Sequence, residues 1–319
     1  MRALKPILYF VVPCYNEQEV LPVSYRLFTD KLSSLVGLGV ISDKSRVLFV
    51  DDGSRDNTYS VIKELAEKNS MICALKLSRN RGHQNALLAG LMAAKDRCDI
   101  TVSLDCDGQD DINATDEMIR QYLDGCDIVY GVRKNRKTDS PFKRRSANLF
   151  YKLLNAMGAE TVKNHADYRL LSRRALEALS HYKEVNLYLR GMVSLVGFKS
   201  TCVYYDRTSR IAGESKYTLG KMVSLALDGI TSFTVKPIRI ITAVGFIIAM
   251  ISFIGIIWSV IAHFVGDAVS GWASTVAIIC FLGGIQILSI GIIGEYIGKI
   301  YLETKHRPRY TVEQEINMD

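Results

Sequence analysis

No two of the seven cysteines, at positions 14, 73, 98, 106, 126, 202 and 280, form a CxxC pair. That absence speaks against a zinc site, and an odd, scattered set speaks against a disulfide framework. Reduced thiols in a cytosolic compartment fit instead. The N-terminus, MRALKPILYFVVPCYNE, lacks a small-residue cleavage site after its short apolar run, which contains Pro13. The run therefore fits a first β-strand better than a signal peptide. Internal repeats and low-complexity tracts are missing too, which removes solenoids and arrays. The net charge of +7 over 319 residues is too small by itself to argue for nucleic acid. The length suffices for one sizeable core and an appendage.

Charge disappears altogether from two longer stretches. Between Arg239 and Asp267, and again between Asp267 and Glu295, 27 residues pass without Asp, Glu, Lys or Arg. A helix needs roughly 20 apolar residues to cross a bilayer. Two adjacent runs of this length, about 240–265 and 272–296, predict a transmembrane hairpin rather than core helices of a soluble protein. The loop near Gly266 to Trp272 has no Lys or Arg, whereas Lys236 and Arg239 precede the first run and Lys299, Lys305, Arg307 and Arg309 follow the second. By the positive-inside rule both flanks face the cytoplasm. The expectation is a multi-pass protein of the cell membrane, with the bulk of the chain and both termini cytoplasmic.

Residues 1–208 are patterned differently. Ile7 to Val12, Val47 to Val50, Ile72 to Leu77, Ile100 to Leu104 and Ile128 to Val132 are short apolar runs, separated by helical stretches such as Thr58 to Lys68 and Gln84 to Ala94. This alternation predicts an α/β domain, Rossmann-like, with a mostly parallel sheet. Ligands in such sheets bind at the carboxyl ends of the strands. PCYNE, DDGSRDNT, SRNRGHQNA and DCDGQDD follow the first four strands and so converge there. Residues 209–236 form a junction in which Leu219, Met222, Val223, Ala226, Ile230 and Phe233 recur at helical spacing. An amphipathic juxtamembrane helix and a helix facing the soluble core are both compatible with that pattern. The hairpin occupies 237–304 and a cytoplasmic tail 305–319.

Asp105, Asp107, Asp110 and Asp111 fall within seven positions. Carboxylates that close repel unless something positive sits among them. A DxD at a strand end suits a hard divalent cation, because Mg²⁺ and Mn²⁺ prefer oxygen ligands, usually one or two carboxylates with substrate phosphates and water. An Asp-rich turn ahead of a helix near Asn113 to Leu123 explains the same residues. Asp51-Asp52-Gly53-Ser54 is equally open between a turn and a site.

Taken in order, VVPCYNE (11–17), VDDGSRDNT (50–58), LSRNRGHQNAL (77–87), SLDCDGQD (103–110), ADYRLLSR (166–173) and RIAGESKYTLGK (210–221) resemble the family 2 glycosyltransferases. More narrowly they resemble the membrane-attached polyisoprenyl-phosphate sugar transferases, the group of bactoprenol glucosyltransferases and dolichol-phosphate mannose synthase. The resemblance covers nearly the whole chain and implies a GT-A catalytic domain. It implies that Pro13, Tyr15, Glu17 and Asp52 hold the nucleotide base and ribose. Asp105 and Asp107 would bind Mg²⁺ or Mn²⁺ on the diphosphate, with Gln109 as a further ligand. Asp167 would sit near the anomeric carbon and acceptor, and Arg210, Ser215 and Lys216 near the phosphates or the lipid phosphate. Many relatives read DADLQDPP where this chain has DCDGQDD, so the leucine and prolines that shape that turn are replaced.

The implied reaction is inverting transfer of a hexose from a nucleotide sugar, UDP-glucose or another UDP-sugar, to undecaprenyl phosphate. It would make a lipid-linked donor for cell-envelope glycosylation. An acceptor phosphate is already an anion near pH 7, its second pKa being about 6, so Asp167 need not be a strong base. A structural role for Asp167, paired with Arg169 or Arg173, is the alternative. The basic segment Arg133, Lys134, Arg136, Lys137, Lys143, Arg144 and Arg145 suits anionic headgroups and the acceptor phosphate, or a solvated loop. It lacks the interleaved aromatics of a nucleic-acid platform. His83 could point into the site, but a lone histidine is more often structural, and it is left out of the expected set. Two other readings compete. A processive polysaccharide synthase usually carries QxxRW, and neither Trp258 nor Trp272 follows an Arg. A non-catalytic membrane partner would have lost the metal ligands. The resemblance also allows a homo-oligomer, and no residue specifies a number.

Overall fold

The computed structural model describes residues 4–134, 165–185, 189–206, 236–265 and 271–318. Apolar runs form buried strands and the amphipathic stretches between them form helices. In chain order these are β1 (Leu8–Cys14), α1 (Leu21–Gly37), β2 (Arg46–Asp51), α2 (Thr58–Lys68), β3 (Ile72–Leu77), α3 (His83–Ala94), β4 (Ile100–Ser103), α4 (Ala114–Leu123) and β5 (Ile128–Arg133). They continue with β6 (His165–Ser172), α5 (Arg173–Ser180), α6 (Leu189–Leu195), β7 (Ser200–Tyr205), α7 (Lys236–Val265), α8 (Trp272–Thr304) and β8 (Val312–Ile316).

The eight strands form one sheet in the order β7-β5-β6-β4-β1-β2-β3-β8. β1 pairs in parallel with β2 and β4, β2 with β3, and β5 with β7. The expected α/β, GT-A-like organisation is therefore present, but the sheet is mixed. β6 runs antiparallel to both β4 and β5, and β8 antiparallel to β3. Every residue of β1 is buried, as a central parallel strand covered on both faces requires. Phe28 on α1 packs its ring between Phe10 and Phe49, with centroids 6.4 and 6.1 Å away in tilted and edge-on contacts. Such pairs add roughly 0.5–1.5 kcal/mol each beyond burial.

The turn after β2 explains one glycine. Gly53 has φ +62°, and a Cβ there would lie 2.4 Å from the Arg79 carbonyl carbon, so the loops after β2 and β3 touch backbone to backbone. The residues expected to be a C-terminal tail include β8, which pairs with β3 and caps that edge of the sheet.

The chain divides into two units, one holding the sheet, its helices and the C-terminal strand, the other holding α7 and α8. The helices coincide with the two uncharged runs, and α8 extends beyond 296 to Thr304. Among the described residues, one helical window, Phe281–Thr304, is long and apolar enough to cross a membrane, and Ile238–Ile248 is a shorter apolar stretch. The expected juxtamembrane helix, Lys216 to Phe233, lies outside the described residues.

Candidate active site

Strand order reverses between β1 and β4, whose neighbours lead away in opposite directions. At such a switch point the carboxyl-end loops splay apart and leave a crevice. Pro13 is buried in β1, opposite Val50 of β2, and Tyr15 and Glu17 follow half-buried. Asn16 takes φ +54°, donating its N–H to Ser54 Oγ at 3.0 Å and accepting Arg55 N–H at 2.9 Å. Glu17 N–H reaches Thr58 Oγ1 at 2.8 Å. PCYNE and DDGSRDNT are thus laced into one surface.

Asp52 has a clear local task. It is 2% exposed, and its two carboxylate oxygens accept the backbone N–H groups of Arg81 at 2.7 Å and Gly82 at 2.9 Å. It therefore clamps the loop that leads to His83 at the start of α3. Burial raises its pKa, opposed by those two hydrogen bonds.

The antiparallel β6 brings the third carboxylate in. Because Ser103 stands opposite Arg169, the amino end of β6 lies beside the carboxyl end of β4. Ser103 Oγ donates to the Asp167 carbonyl and, at 3.3 Å, to that of Arg169. A separation of 62 positions between Asp105 and Asp167 is erased by this pairing.

Asp105 and Asp167 then differ sharply. Burial, with the carboxylates of Asp110, Asp167 and Asp107, raises Asp105 to about 6, against the pull of His83. Burial would raise Asp167 too, yet Arg190, His83 and Arg169 hold it well below the usual carboxylate range. Arg190 grips it as a fork, Nε to Oδ1 at 3.1 Å and Nη2 to Oδ2 at 2.9 Å, while the fully buried Arg169 donates to Oδ1 at 2.6 Å. The pairing expected with Arg169 is present. Arg173 instead binds the Cys98 carbonyl at 2.7 Å and lies 3.7 Å from Asp99.

His83 lies between the two carboxylates, its Nε2 3.5 Å from Asp167 Oδ2 and 3.7 Å from Asp105 Oδ1. Burial opposes its charge, but Asp167 and Asp105 outweigh that and raise its pKa. His83, left out of the expected set, thus lies among its carboxylates.

The substituted turn after Asp107 has its own supports. Gly108 takes φ +64°, a conformation that favours glycine. Gln109 N–H donates to Asp107 Oδ1 at 3.1 Å. Asp110 is buried, accepting Tyr205 Oη at 2.6 Å and Arg133 Nη2 at 3.3 Å. Tyr168 Oη donates to the Asp111 carbonyl at 3.1 Å. Arg133, expected at the acceptor phosphate, is thus engaged with this loop. Arg210, Ser215 and Lys216 lie outside the described residues, as do Arg136, Lys137, Lys143, Arg144 and Arg145.

Among the described residues no group of three or more His, Cys, Asp or Glu side chains is gathered to hold a metal ion. A hard cation that arrives with a diphosphate does not need one, because it takes one or two carboxylates and completes its shell with phosphate oxygens and water. Asp105 is raised by burial and by the carboxylates around it, and Asp107 follows two positions on, so the pair offers oxygen donors where carboxylates crowd together. Those residues fit Mg²⁺ or Mn²⁺.

Residues 9–180, more than half of the chain, match the profile of Glycosyl transferase family 2. The chain belongs to glycosyltransferase family 2. Residues 236–300 match a second profile, the GtrB C-terminal hairpin. The uncharacterized glycosyltransferase YkoT of Bacillus subtilis strain 168 is 48% identical over 98% of this chain and 93% of its own length. The bactoprenol glucosyl transferase of Shigella phage SfV is 39% identical over 96% of this chain and 97% of its own. Among solved structures, glucosyl-3-phosphoglycerate synthase from Mycobacterium tuberculosis matches at 17% identity and a TM-score of 0.47, covering 71% of this chain and 78% of that one.

In this family 2 glycosyltransferase, sequence reasoning missed Arg190 outright and set His83 aside. His83 carried a signal, since it lies within the third of four strand-end motifs. Arg190 carried none, because it reaches Asp167 only through the packing of α6.

Proposed function

We propose that this family 2 glycosyltransferase moves a hexose, glucose from UDP-glucose in the first instance, onto undecaprenyl phosphate at the cytoplasmic face of the membrane. The product is a lipid-linked sugar for cell-envelope glycosylation. The observation that carries the reading is the meeting of two unlike carboxylates at the end of β4, Asp105 short of positive charge and Asp167 saturated with it. The family and the name of the bactoprenol glucosyl transferase relative support the donor and acceptor classes.

A divalent cation at Asp105 and Asp107, with Gln109 nearby, would neutralise the charge that builds on the departing diphosphate. The rest falls to the chain itself. Pro13, Tyr15 and Glu17 form the nucleoside side of the crevice, and Asp52 holds the neighbouring loop in shape. Asp167, kept deprotonated by Arg190 and Arg169, places a fixed negative charge where positive charge develops at the anomeric carbon. It is a poor proton acceptor, and none is required, since the acceptor phosphate attacks as an anion. Attack opposite the leaving group inverts the anomeric centre. Arg210, Ser215 and Lys216 are assigned to the acceptor phosphate, while Arg133 fastens the metal loop through Asp110.

Residues 1–208 and the C-terminal strand make up the catalytic domain, and 209–236 its junction with the membrane. Two crossings by α7 and α8 are supported by the sheet itself. Because β8 pairs with β3, the chain that departs at Lys236 is back with the catalytic domain by Val312, so the number of crossings is even. The Lys and Arg flanks assign that side to the cytoplasm.

The test is a donor screen. Membranes containing the protein are incubated with undecaprenyl phosphate and labelled UDP-glucose, UDP-GlcNAc or GDP-mannose, with Mg²⁺ or with EDTA. The expected result is labelled lipid from a UDP-sugar that vanishes with EDTA. No labelled lipid from any donor contradicts the proposal.

A further inference from the structure

Only four residues, Lys305 to Pro308, separate the end of α8 from Arg309, which is bonded into the catalytic unit. Arg309 Nη1 donates to the Tyr182 carbonyl at 2.9 Å, and the Thr311 carbonyl accepts Ser78 N–H at 3.0 Å. β8 then follows β3 from Val312 opposite Leu77 to Ile316 opposite Ala74, with Lys76 Nζ 3.0 Å from Glu313. Asn317 Nδ2 closes the run on the carbonyls of Ala66 and Ile72 at 2.8 and 2.9 Å.

The first two contacts fall at the bases of the two arms that reach Asp167. Ser78 opens the loop that Asp52 clamps and that ends in His83. Tyr182 stands between α5 and α6, and its Oη donates to the carbonyl of Leu195, the last residue of α6. At the other end of α6, Leu189 N–H donates to Gln84 Oε1 at 2.8 Å, tying it to α3. Between those two fastenings α6 carries Arg190 onto Asp167.

We infer that residues 309–311 are a positioning strap for the catalytic site, with Arg309 its positioning residue. The segment emerging from the membrane hairpin holds the His83 loop and the Arg190 helix in the register that makes Asp167 a fixed anion. Arg309 acts through Tyr182 and α6, and touches no substrate. A displacement of about 1 Å at a reacting centre can cost on the order of a hundredfold in rate, so a partial loosening of α6 is expected to cost about tenfold.

The inference goes beyond the proposed reaction and rests on it only for the activity readout. Hydrogen exchange is measured on full-length detergent-solubilised wild type, Arg309→Ala and Arg309→Lys. In Arg309→Ala, exchange accelerates over Leu189–Leu195 and Ser78–Ala86 while β1 and β2 stay as protected as in wild type; Arg309→Lys falls between. With the donor that wild type uses, kcat of Arg309→Ala drops about tenfold and KM for the nucleotide sugar stays within about twofold, the split expected for lost transition-state positioning. Should Arg309→Ala not fold, Tyr182→Phe, which removes only the bond to Leu195, is compared in the same way. Unchanged exchange over Leu189–Leu195 overturns the inference, and so does wild-type kcat in a variant whose α6 has loosened. A wild type that transfers no sugar from any donor defeats the proposed function and leaves the exchange result to decide the strap.

Discussion

The end of β4 and the start of β6 each present an aspartate to the same crevice, and the chain treats them in opposite ways. Around Asp105 it gathers Asp107, Asp110 and Asp167, sets His83 against them with Arg133 beyond, and leaves the side chain 34% exposed. Around Asp167 it places Arg169, Arg190 and His83, and leaves the side chain 12% exposed. On the proposed reading the first site is completed by a cation that comes with the substrate, whereas the carboxylate of the second already has its cations within the chain. Charge supply, more than residue type, distinguishes a ligand-binding carboxylate from a fixed electrostatic one.

The comparison breaks most visibly at the first site. Asp107→Ala, and EDTA with the unaltered protein, should each lower sugar transfer by roughly a hundred- to a thousandfold, the scale seen when one preorganised stabiliser of developing charge is lost. Labelled lipid formed per minute reads both. At the second site the larger consequence is structural. Asp167→Ala leaves the buried Arg169 without its carboxylate, and removing one partner of a buried pair costs about 3–5 kcal/mol. Denaturant titration of the detergent-solubilised protein should show that loss. A smaller effect belongs to the loop between them. Tyr205→Phe removes the donor to Asp110 and should cost roughly 1.5–3 kcal/mol, the range for a hydrogen bond to a charged group. The weakest handle is pH. Asp167 has a folded pKa below its unfolded value of about 4. Its contribution is full above that unfolded value and fades as pH falls through the folded one. Asp167→Asn should therefore flatten the acid limb of the stability profile below about pH 4 and leave the neutral region parallel to wild type.

Much of this is legible in the sequence. The five apolar runs became β1 to β5 within two residues at each end, because buried parallel strands read as continuous apolar stretches. Asp105 and Asp107 declared themselves by their spacing at a strand end. The strands β6, β7 and β8 did not, since antiparallel and edge strands carry polar residues and weaker patterns. With β6 went the reason that Asp167 meets Asp105, and with β8 the role of the residues after α8. Asp52 was read as a nucleotide contact, and its tie to Arg81 and Gly82 is a backbone event that no side-chain pattern announces. The supports of the turn at Gly108 to Asp111, namely Tyr205, Tyr168 and Arg133, sit on strands distant in sequence.

Mn²⁺ binding to the purified full-length protein, followed by electron paramagnetic resonance with and without UDP-glucose, tests the contrast most directly. One bound ion is expected, with an affinity that rises with the nucleotide sugar, lost in Asp105→Asn and Asp107→Asn and retained in Asp167→Asn. An ion that survives both of the first substitutions, or that disappears only with the third, contradicts it.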